Sequence, residues 1–263
     1  MPKKRTLLID GDVVAYKAST AVEQAVEWAP GYWTWNADFE ETCTAVRYAL
    51  DDIREQLEAD KIITCLSDPE ANFRLDILPT YKTHRKTVKK PLVLLHVKEW
   101  MQEVYGAKVV PSLEGDDVMG ILATRPNKSM EERIVVSIDK DLKTIPGLYV
   151  RTKAEVDEAG AEVVGGFEVQ EITEDEADYN HLYQTLTGDT ADGYKGCPGI
   201  GPAKVGGVIE MGATIPDNWA AVVKAFEKAK LGEEEALRQA CVARILRYPE
   251  YDFKRKEPIP WKP

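Results

Sequence analysis

Two patterns of apolar residues alternate along this chain. Short apolar runs that end on an acid give way to longer stretches of helical period. Thr6-Leu-Leu-Ile-Asp10 is the first run, a buried strand closed by a carboxylate. Residues 13–26, rich in Ala and Val, predict a helix, and Trp28, Trp33 and Trp35 around Pro30-Gly31 predict an aromatic hairpin. A second helix is expected over 38–60, with Cys43, Val46, Leu50, Ile53 and Leu57 on one face. Ile62–Leu66 is a second strand, running into Ser67-Asp68. The stretch 79–105 opens with Pro79 and continues with Leu92, Leu95, Val97, Trp100, Met101 and Val104 at helical spacing. Lys108–Val110 predicts a short strand, Asp116–Thr124 a helix stopped before Pro126, and Ile134–Ile138 a strand reaching Asp139. Leu148–Thr152 is a further strand, and 153–172 a hairpin turning at Gly160 or at Gly165-Gly166. From about 174 onward the pattern is helical, with a Gly/Pro-rich break at 193–202. Such alternation suits βαβ crossovers, so the expected fold class is α/β: a central, mostly parallel sheet with flanking helices and a C-terminal helical subdomain.

Length and composition agree with that picture. The chain has 263 residues, 44% of them hydrophobic, enough for one large core or a core plus a subdomain. No run approaches the ~20 apolar residues of a membrane span. The opening Met1-Pro-Lys-Lys-Arg5 is followed by too short an apolar run for a signal peptide, and a cytoplasmic protein is expected. Cys43, Cys65, Cys197 and Cys241 are far apart, and His84, His96 and His181 lack metal-ligand spacing, so neither a disulfide framework nor a zinc site is indicated. Net charge is −11, which taken alone argues against a nucleic-acid binder. Its distribution changes the picture: Lys82, Arg85, Lys86, Lys89 and Lys90 fall within nine positions, while many acids sit in short clusters at strand ends.

Ligands of open α/β sheets gather at the carboxyl ends of the strands. Asp10 and Asp68 follow the first two strands, and Glu114, Asp116 and Asp117 head a helix. Asp139 and Asp141 follow the third strand, and Asp189 and Asp192 lie in Gly188-Asp-Thr-Ala-Asp-Gly193. Taken singly, each acid is equally a loop residue or a helix cap. Together they pose an electrostatic problem, since two unit charges 4 Å apart cost ~4 kcal/mol at an effective dielectric near 20. Hard divalent cations, Mg²⁺ or Mn²⁺, relieve it, and two such ions can hold a phosphate between them.

In order and spacing, five segments resemble those of the flap endonuclease and 5′→3′ exonuclease family, including its phage members and the 5′-nuclease domain of bacterial DNA polymerase I. They are Leu8-Ile-Asp-Gly-Asp12; Ser67-Asp-Pro-Glu-Ala-Asn-Phe-Arg74 with Leu78-Pro-Thr-Tyr-Lys-Thr-His-Arg85; Leu113-Glu-Gly-Asp-Asp117; Ser137-Ile-Asp-Lys-Asp-Leu142; and Gly188-Asp-Thr-Ala-Asp192 with Gly196-Cys-Pro-Gly-Ile-Gly-Pro202. The resemblance implies a PIN-like nuclease core over 1–173, with a helical arch at about 79–105. It implies a helical subdomain over 174–263 that carries a helix–hairpin–helix at about 177–211. Asp10, Asp68, Glu114 and Asp116 match one metal site, with Asp117 beside it. Asp139, Asp141 and Asp192 match the second, with Asp189 close by. Lys82 and Arg85 are implied to act on the scissile phosphate. Tyr81 would stack on a base, and Lys86 belongs to the same basic arch. Gly199, Gly201 and Lys204 would grip a duplex backbone, with K⁺ at the hairpin as in relatives. Three departures stand out: Gly193 occupies the place of a usual Asn, which should loosen the turn; the segment after Asp68 is one residue short; and the Trp28–Trp35 stretch has no counterpart, its expected role being a structural hairpin ahead of a DNA-stacking surface.

The implied activity is hydrolysis of DNA phosphodiesters at 5′ ends or 5′ flaps, leaving a 5′-phosphate and a 3′-hydroxyl. The implied agents are two Mg²⁺ or Mn²⁺ ions, with no small-molecule cofactor. A monomer is expected, acting in the host cytoplasm if phage-encoded, in replication or DNA degradation. Two other readings stay open: a branched-DNA binding protein without catalysis, and a PIN-like ribonuclease.

Overall fold

The computed structural model describes residues 4–127, 131–156 and 162–263; the side chains of Lys86, 154–156 and 162–164 are outside that description. In chain order the elements are β1 (Arg5–Asp10), α1 (Gly11–Val22), β2 (Gln24–Ala29), β3 (Tyr32–Asn36), α2 (Phe39–Gln56), β4 (Lys61–Cys65), α3 (Arg74–Ile77), α4 (Leu94–Tyr105), α5 (Gly115–Thr124) and β5 (Glu132–Ser137). There follow β6 (Gly147–Arg151), β7 (Lys153–Val156), β8 (Glu162–Gly165), β9 (Val169–Ile172), α6 (Glu174–Thr187), α7 (Pro202–Val205), α8 (Ile215–Lys228), α9 (Glu233–Ala243), β10 (Tyr251–Asp252) and β11 (Glu257–Pro258).

The central sheet runs β4-β1-β5-β6-β9, parallel throughout except for β9 at the edge. The chain leaves β1 toward β4 on one side and later places β5 on the other. The strand order therefore reverses at β1, where a cleft opens at the carboxyl ends. One face of the sheet packs Leu7, Ile9, Ile134 and Val136 against Val46, Leu50, Val97 and Met101 of α2 and α4. The other face packs Leu8, Val135 and Tyr149 against Val118, Met119 and Ile121 of α5 and against Ile245 and Leu246. A third apolar cluster joins α6, α8 and α9 around Phe226, Trp219 and Trp261. Among the described residues no helix is long and apolar enough to cross a membrane.

Several boundaries differ from the expectation, each for a local reason. α1 stops at Val22, not at 26, because Glu23 turns extended and Gln24–Ala29 pairs with Tyr32–Asn36 as the hairpin. Short Ala and Val residues suit helix and strand alike, and the ladder decides. α2 ends at Gln56, short of 60, although its buried face is the expected one. Lys108 makes a single parallel bridge to Cys65 in place of a strand. The 79–105 segment is not one helix: Thr83–Thr87 forms a 3₁₀ turn, and α4 starts only after Pro91. Its buried stripe is Leu94, Val97 and Met101, while Leu92, Leu95 and Val104 face solvent. β7 pairs with β8 as a hairpin, but Gly160 lies outside the described residues.

One buried ion pair joins these layers. Arg74 on α3 holds both carboxylate oxygens of Asp117 on α5, at 2.7 and 2.8 Å. It also donates to the carbonyls of Val242 and Arg244, at 2.9 and 2.6 Å. Asp117 in turn accepts from the amides of Glu114 and Leu246. Removing one partner of such a pair leaves an uncompensated charge, worth about 3–5 kcal/mol. Asp117→Leu should therefore lower unfolding free energy by about that much in urea titration, and Arg74→Met with Asp117→Leu should recover part of the loss. A single variant within 1 kcal/mol or so of wild type would contradict this account.

Candidate active site

The end of β1 turns straight into α1 because Asp10 caps the helix, its Oδ1 accepting from Val13 N at 3.0 Å. Its other oxygen accepts from Ser137 Oγ at 2.8 Å, across to the end of β5. Two residues beyond, the 3₁₀ turn Lys140–Thr144 is capped by Asp139, whose carboxylate accepts from Asp141 N. Glu114 and Asp116 sit at the head of α5. The Asp189–Tyr194 loop closes on itself through paired backbone bonds between its two end residues. Gly188 and Gly196 form its neck: both have positive φ, and a Cβ on either would stand 2.3 Å from backbone of the other strand of the neck. Gly193, expected to loosen the turn, instead supplies φ +81° and donates to Asp189 O. The tight turn needs that conformation, which glycine adopts without penalty.

These elements enclose a cavity of about 950 Å³. Asp10, Glu114, Asp116, Asp139, Asp141, Asp189 and Asp192 all line it, with Tyr81, Lys82 and Arg85. Lys82 Nζ lies 2.6 Å from Glu114 and 3.5 Å from Asp192, on a backbone held at φ +51°. Arg85, half-exposed, pairs with Asp192 at 2.7 Å. Asp189 accepts from the amides of Ala191 and Asp192.

Charge on this wall is only partly met. Burial raises the Asp10 carboxyl to about 6, with nearby Asp12 and Asp139 adding to the rise. Burial, then Asp139 and Asp189, push Asp141 to about 6 as well. Asp116 is driven well above the carboxylate range by burial and by Asp10 and Glu114, and among the described residues no hydrogen bond or ion pair reaches its side chain. Glu114 goes the other way: burial opposes its charge, but Arg74 and Lys82 outweigh it and hold the carboxyl low. Carboxylates that keep protons for want of a counter-ion are a donor set of hard oxygens suited to divalent cations. Among the described residues no three candidate ligands are already drawn around one point. The fit lies in the charge and chemistry of the wall.

Four sequence-based expectations need correction. Asp117 cannot reach the cavity, since both its oxygens are taken up by Arg74 and by backbone amides. Asp68 does not line the cavity either: its carboxylate accepts from Ser112 N and Glu70 N and shapes its own loop. Tyr81 is buried, and its single hydroxyl proton is shared between Glu114 and Asp192, whose oxygens lie 2.9 and 3.0 Å away, so its ring is not free to stack on a base. The helix expected from Pro202 is a single turn ending at Val205, with Lys204 folded back onto Gly199 O. Gly199 and Gly201 have open space around them and lie away from the cavity. The Lys86 side chain lies outside the described residues.

Asp12 and Lys98, given no role from sequence, also line the cavity, as do Lys89 and Lys90 of the basic cluster. Asp12 accepts from Ser67 N and Oγ and pairs with Lys98 at 2.5 Å. Its place two residues after Asp10, in the first turn of α1, was the available signal. Nothing in the local pattern marked Lys98.

Residues 5–172 match the family described as 5′-3′ exonuclease, N-terminal resolvase-like domain. The chain is 30% identical to the exodeoxyribonuclease of Enterobacteria phage T3, over 99% of this chain and 93% of that protein. It is likewise 30% identical to the exonuclease of Escherichia phage T7, over 99% and 94%. Among solved structures, the bacteriophage T5 flap endonuclease in a pseudo-enzyme-product complex with DNA and metal ions aligns at TM-score 0.65, covering 92% of this chain and 89% of its own. At 12% identity that likeness shows a shared fold alone. Its strand-end acids, its sheet order and its full-length relatives agree: the chain belongs to the 5′-3′ exonuclease family.

Proposed function

We propose that this protein is a divalent-metal-dependent 5′-nuclease that hydrolyses DNA phosphodiesters at 5′ ends or 5′ flaps, leaving 5′-phosphate and 3′-hydroxyl. The observation that carries the reading is the convergence of eight carboxylates, Asp12 among them, with Lys82 and Arg85 on one cavity. Asp10, Glu114 and Asp116 would hold one Mg²⁺ or Mn²⁺, and Asp139, Asp141 and Asp192 a second, with Asp189 supporting the loop. When bound, such ions supply Lewis acidity at phosphoryl oxygens and a nucleophile at neutral pH.

The chain's own cations have a defined part in this. Lys82 and Arg85 rest on Glu114 and Asp192. With cations held by those carboxylates, the Lys82 ammonium and Arg85 guanidinium would be available to the phosphate and would offset charge developing there. Tyr81 keeps Glu114 and Asp192 oriented through its two hydrogen bonds. α6, the Gly196–Gly201 turn and the single turn of α7 would together serve as a helix–hairpin–helix in which Gly199 and Gly201 let a duplex backbone approach, with K⁺ as a candidate ion. A core over 1–173 and a helical subdomain over 174–263 would divide chemistry from duplex grip. The intact set of cavity carboxylates weighs against a non-catalytic DNA binder, and the full-length relatives named exodeoxyribonuclease and exonuclease weigh against a ribonuclease.

Asp139→Asn should abolish hydrolysis of a labelled flap duplex while largely sparing DNA binding. Cutting at the wild-type rate in saturating Mg²⁺ would sink the assigned chemistry. Acidity gives a second check. Asp10 is raised from 3.8 to about 6, so between those values the folded protein holds a proton that the unfolded chain has released. Metal-free protein should thus lose stability as pH rises through that window. Mg²⁺ should restore it above about pH 6, by about 2.7 kcal/mol at a hundredfold excess over its Kd. Nuclease activity should fall as pH drops through 6, as Asp10 and Asp141 take up protons. A Tm indifferent to Mg²⁺ at pH 8 would contradict a cation site.

A further inference from the structure

The β2–β3 hairpin stands outside all the apolar clusters, and every residue of both strands is exposed. Trp28 and Tyr32 are more than 70% exposed, and Trp33 and Trp35 more than 40%. Folding gains little from rings left in water, so large aromatics gathered on one exposed ladder point to a ligand.

The register sorts them by face. Ala25 pairs with Trp35 and Glu27 with Trp33, which puts the two tryptophans on one side. Their ring centroids are 6.3 Å apart, with planes tilted by 30°. Trp28 belongs to the opposite side, where its Nε1 donates to Thr34 Oγ1 at 2.9 Å.

The Trp33–Trp35 side continues into the active site. Lys89 Nζ lies 5.1 Å over the Trp35 ring, and Lys89 also lines the carboxylate cavity, with Val88 and Lys90. Glu23, at the base of the hairpin, pairs with Lys89 and accepts from Leu92 N at 2.8 Å. Those contacts fix the hairpin against the 88–92 segment. Two π-faces, then two ammonium groups, then the cavity therefore form one continuous track. Phosphates suit the ammonium groups, and bases suit the rings. In a duplex the base faces are already covered by their neighbours, so the occupant must be unpaired.

We propose that the Trp33–Trp35 face stacks bases of the unpaired 5′ DNA strand as it passes between the cavity and solvent. The proposal rests on the nuclease reading above and adds a single-strand platform to it. The aromatic rings hold bases while Lys89 and Lys90 follow the backbone.

The test is affinity, read by fluorescence anisotropy in EDTA, for a labelled oligodeoxythymidine and for a 5′-flap duplex. Trp33→Ala with Trp35→Ala should weaken binding of the oligonucleotide by roughly 5- to 100-fold. Trp33→Phe with Trp35→Phe, which keeps the π-faces, should retain most of it. Trp28→Ala, on the other side, should bind as wild type does. Thermal melting checks that each variant is folded. Undiminished affinity in the folded double-alanine variant overturns the proposal. So does a loss shared equally by Trp28→Ala, or a variant with normal DNA affinity but changed sedimentation, which would make the face a self-association surface. Failure of the parent reading looks different: wild-type protein would leave flap DNA uncut in Mg²⁺, whatever the anisotropy shows.

Discussion

Like charges crowded at the carboxyl ends of one sheet are the constraint around which this protein is built. Eight carboxylates share a cavity wall. The fold tolerates them through three separate devices. Lys82 and Arg85 neutralise Glu114 and Asp192 directly. Backbone amides and serine hydroxyls satisfy Asp10 and Asp12. Asp10, Asp116 and Asp141 hold on to protons beyond the ordinary range. The third device is the weakest, because it is undone as soon as a cation offers a better bargain. An overall acidic chain can therefore serve a polyanionic substrate: its excess charge sits where metal is wanted, and its basic residues are gathered beside it.

Positioning depends on a second electrostatic contact with the opposite character. The Arg74–Asp117 pair is fully satisfied and lies away from solvent, so it contributes rigidity, while Arg74 also reaches Glu114 at 3.3 Å and helps keep that carboxyl charged. It holds the head of α5, and with it Glu114 and Asp116, against the chain at 242–246. The helical part of the molecule and the catalytic sheet are thereby tied at the residues whose placement matters most. Adjacent aspartates on one helix turn do opposite jobs because successive side chains point about 100° apart.

That division explains what could and could not be read from the chain. The sheet was legible, because short apolar runs closing on acids give both strand and direction, and the buried face of α2 matched its periodicity residue by residue. Asp10 and Asp139 were legible as acids closing strands, and Glu114 and Asp192 through the segments that resemble the family's. Asp116 and Asp117 were not separable, since no local pattern says which of two neighbours meets Arg74. Asp68 was misplaced for a similar reason: whether a loop carboxylate faces a cavity or its own backbone amides depends on the loop's path. Tyr81 was read as a ring that stacks on a base, and only the tertiary arrangement reveals two carboxylates beside its hydroxyl. The helical spacing after Pro91 was legible and gave α4, whereas the 3₁₀ turn at Thr83–Thr87 and the left-handed residue before it leave no apolar signature.

Lys82 is that left-handed residue, and its backbone tells how the protein weighs durability against use. A non-glycine residue at φ +51° carries a strain on the order of 1 kcal/mol, yet a lysine stands there because its ammonium must reach Glu114 and Asp192. Two replacements that both delete the ammonium should then part company: glycine, free of the strain, would fold more firmly than alanine. At this position the usual order of the two small residues is inverted, the mark of a site where activity is maintained at the expense of conformational ease.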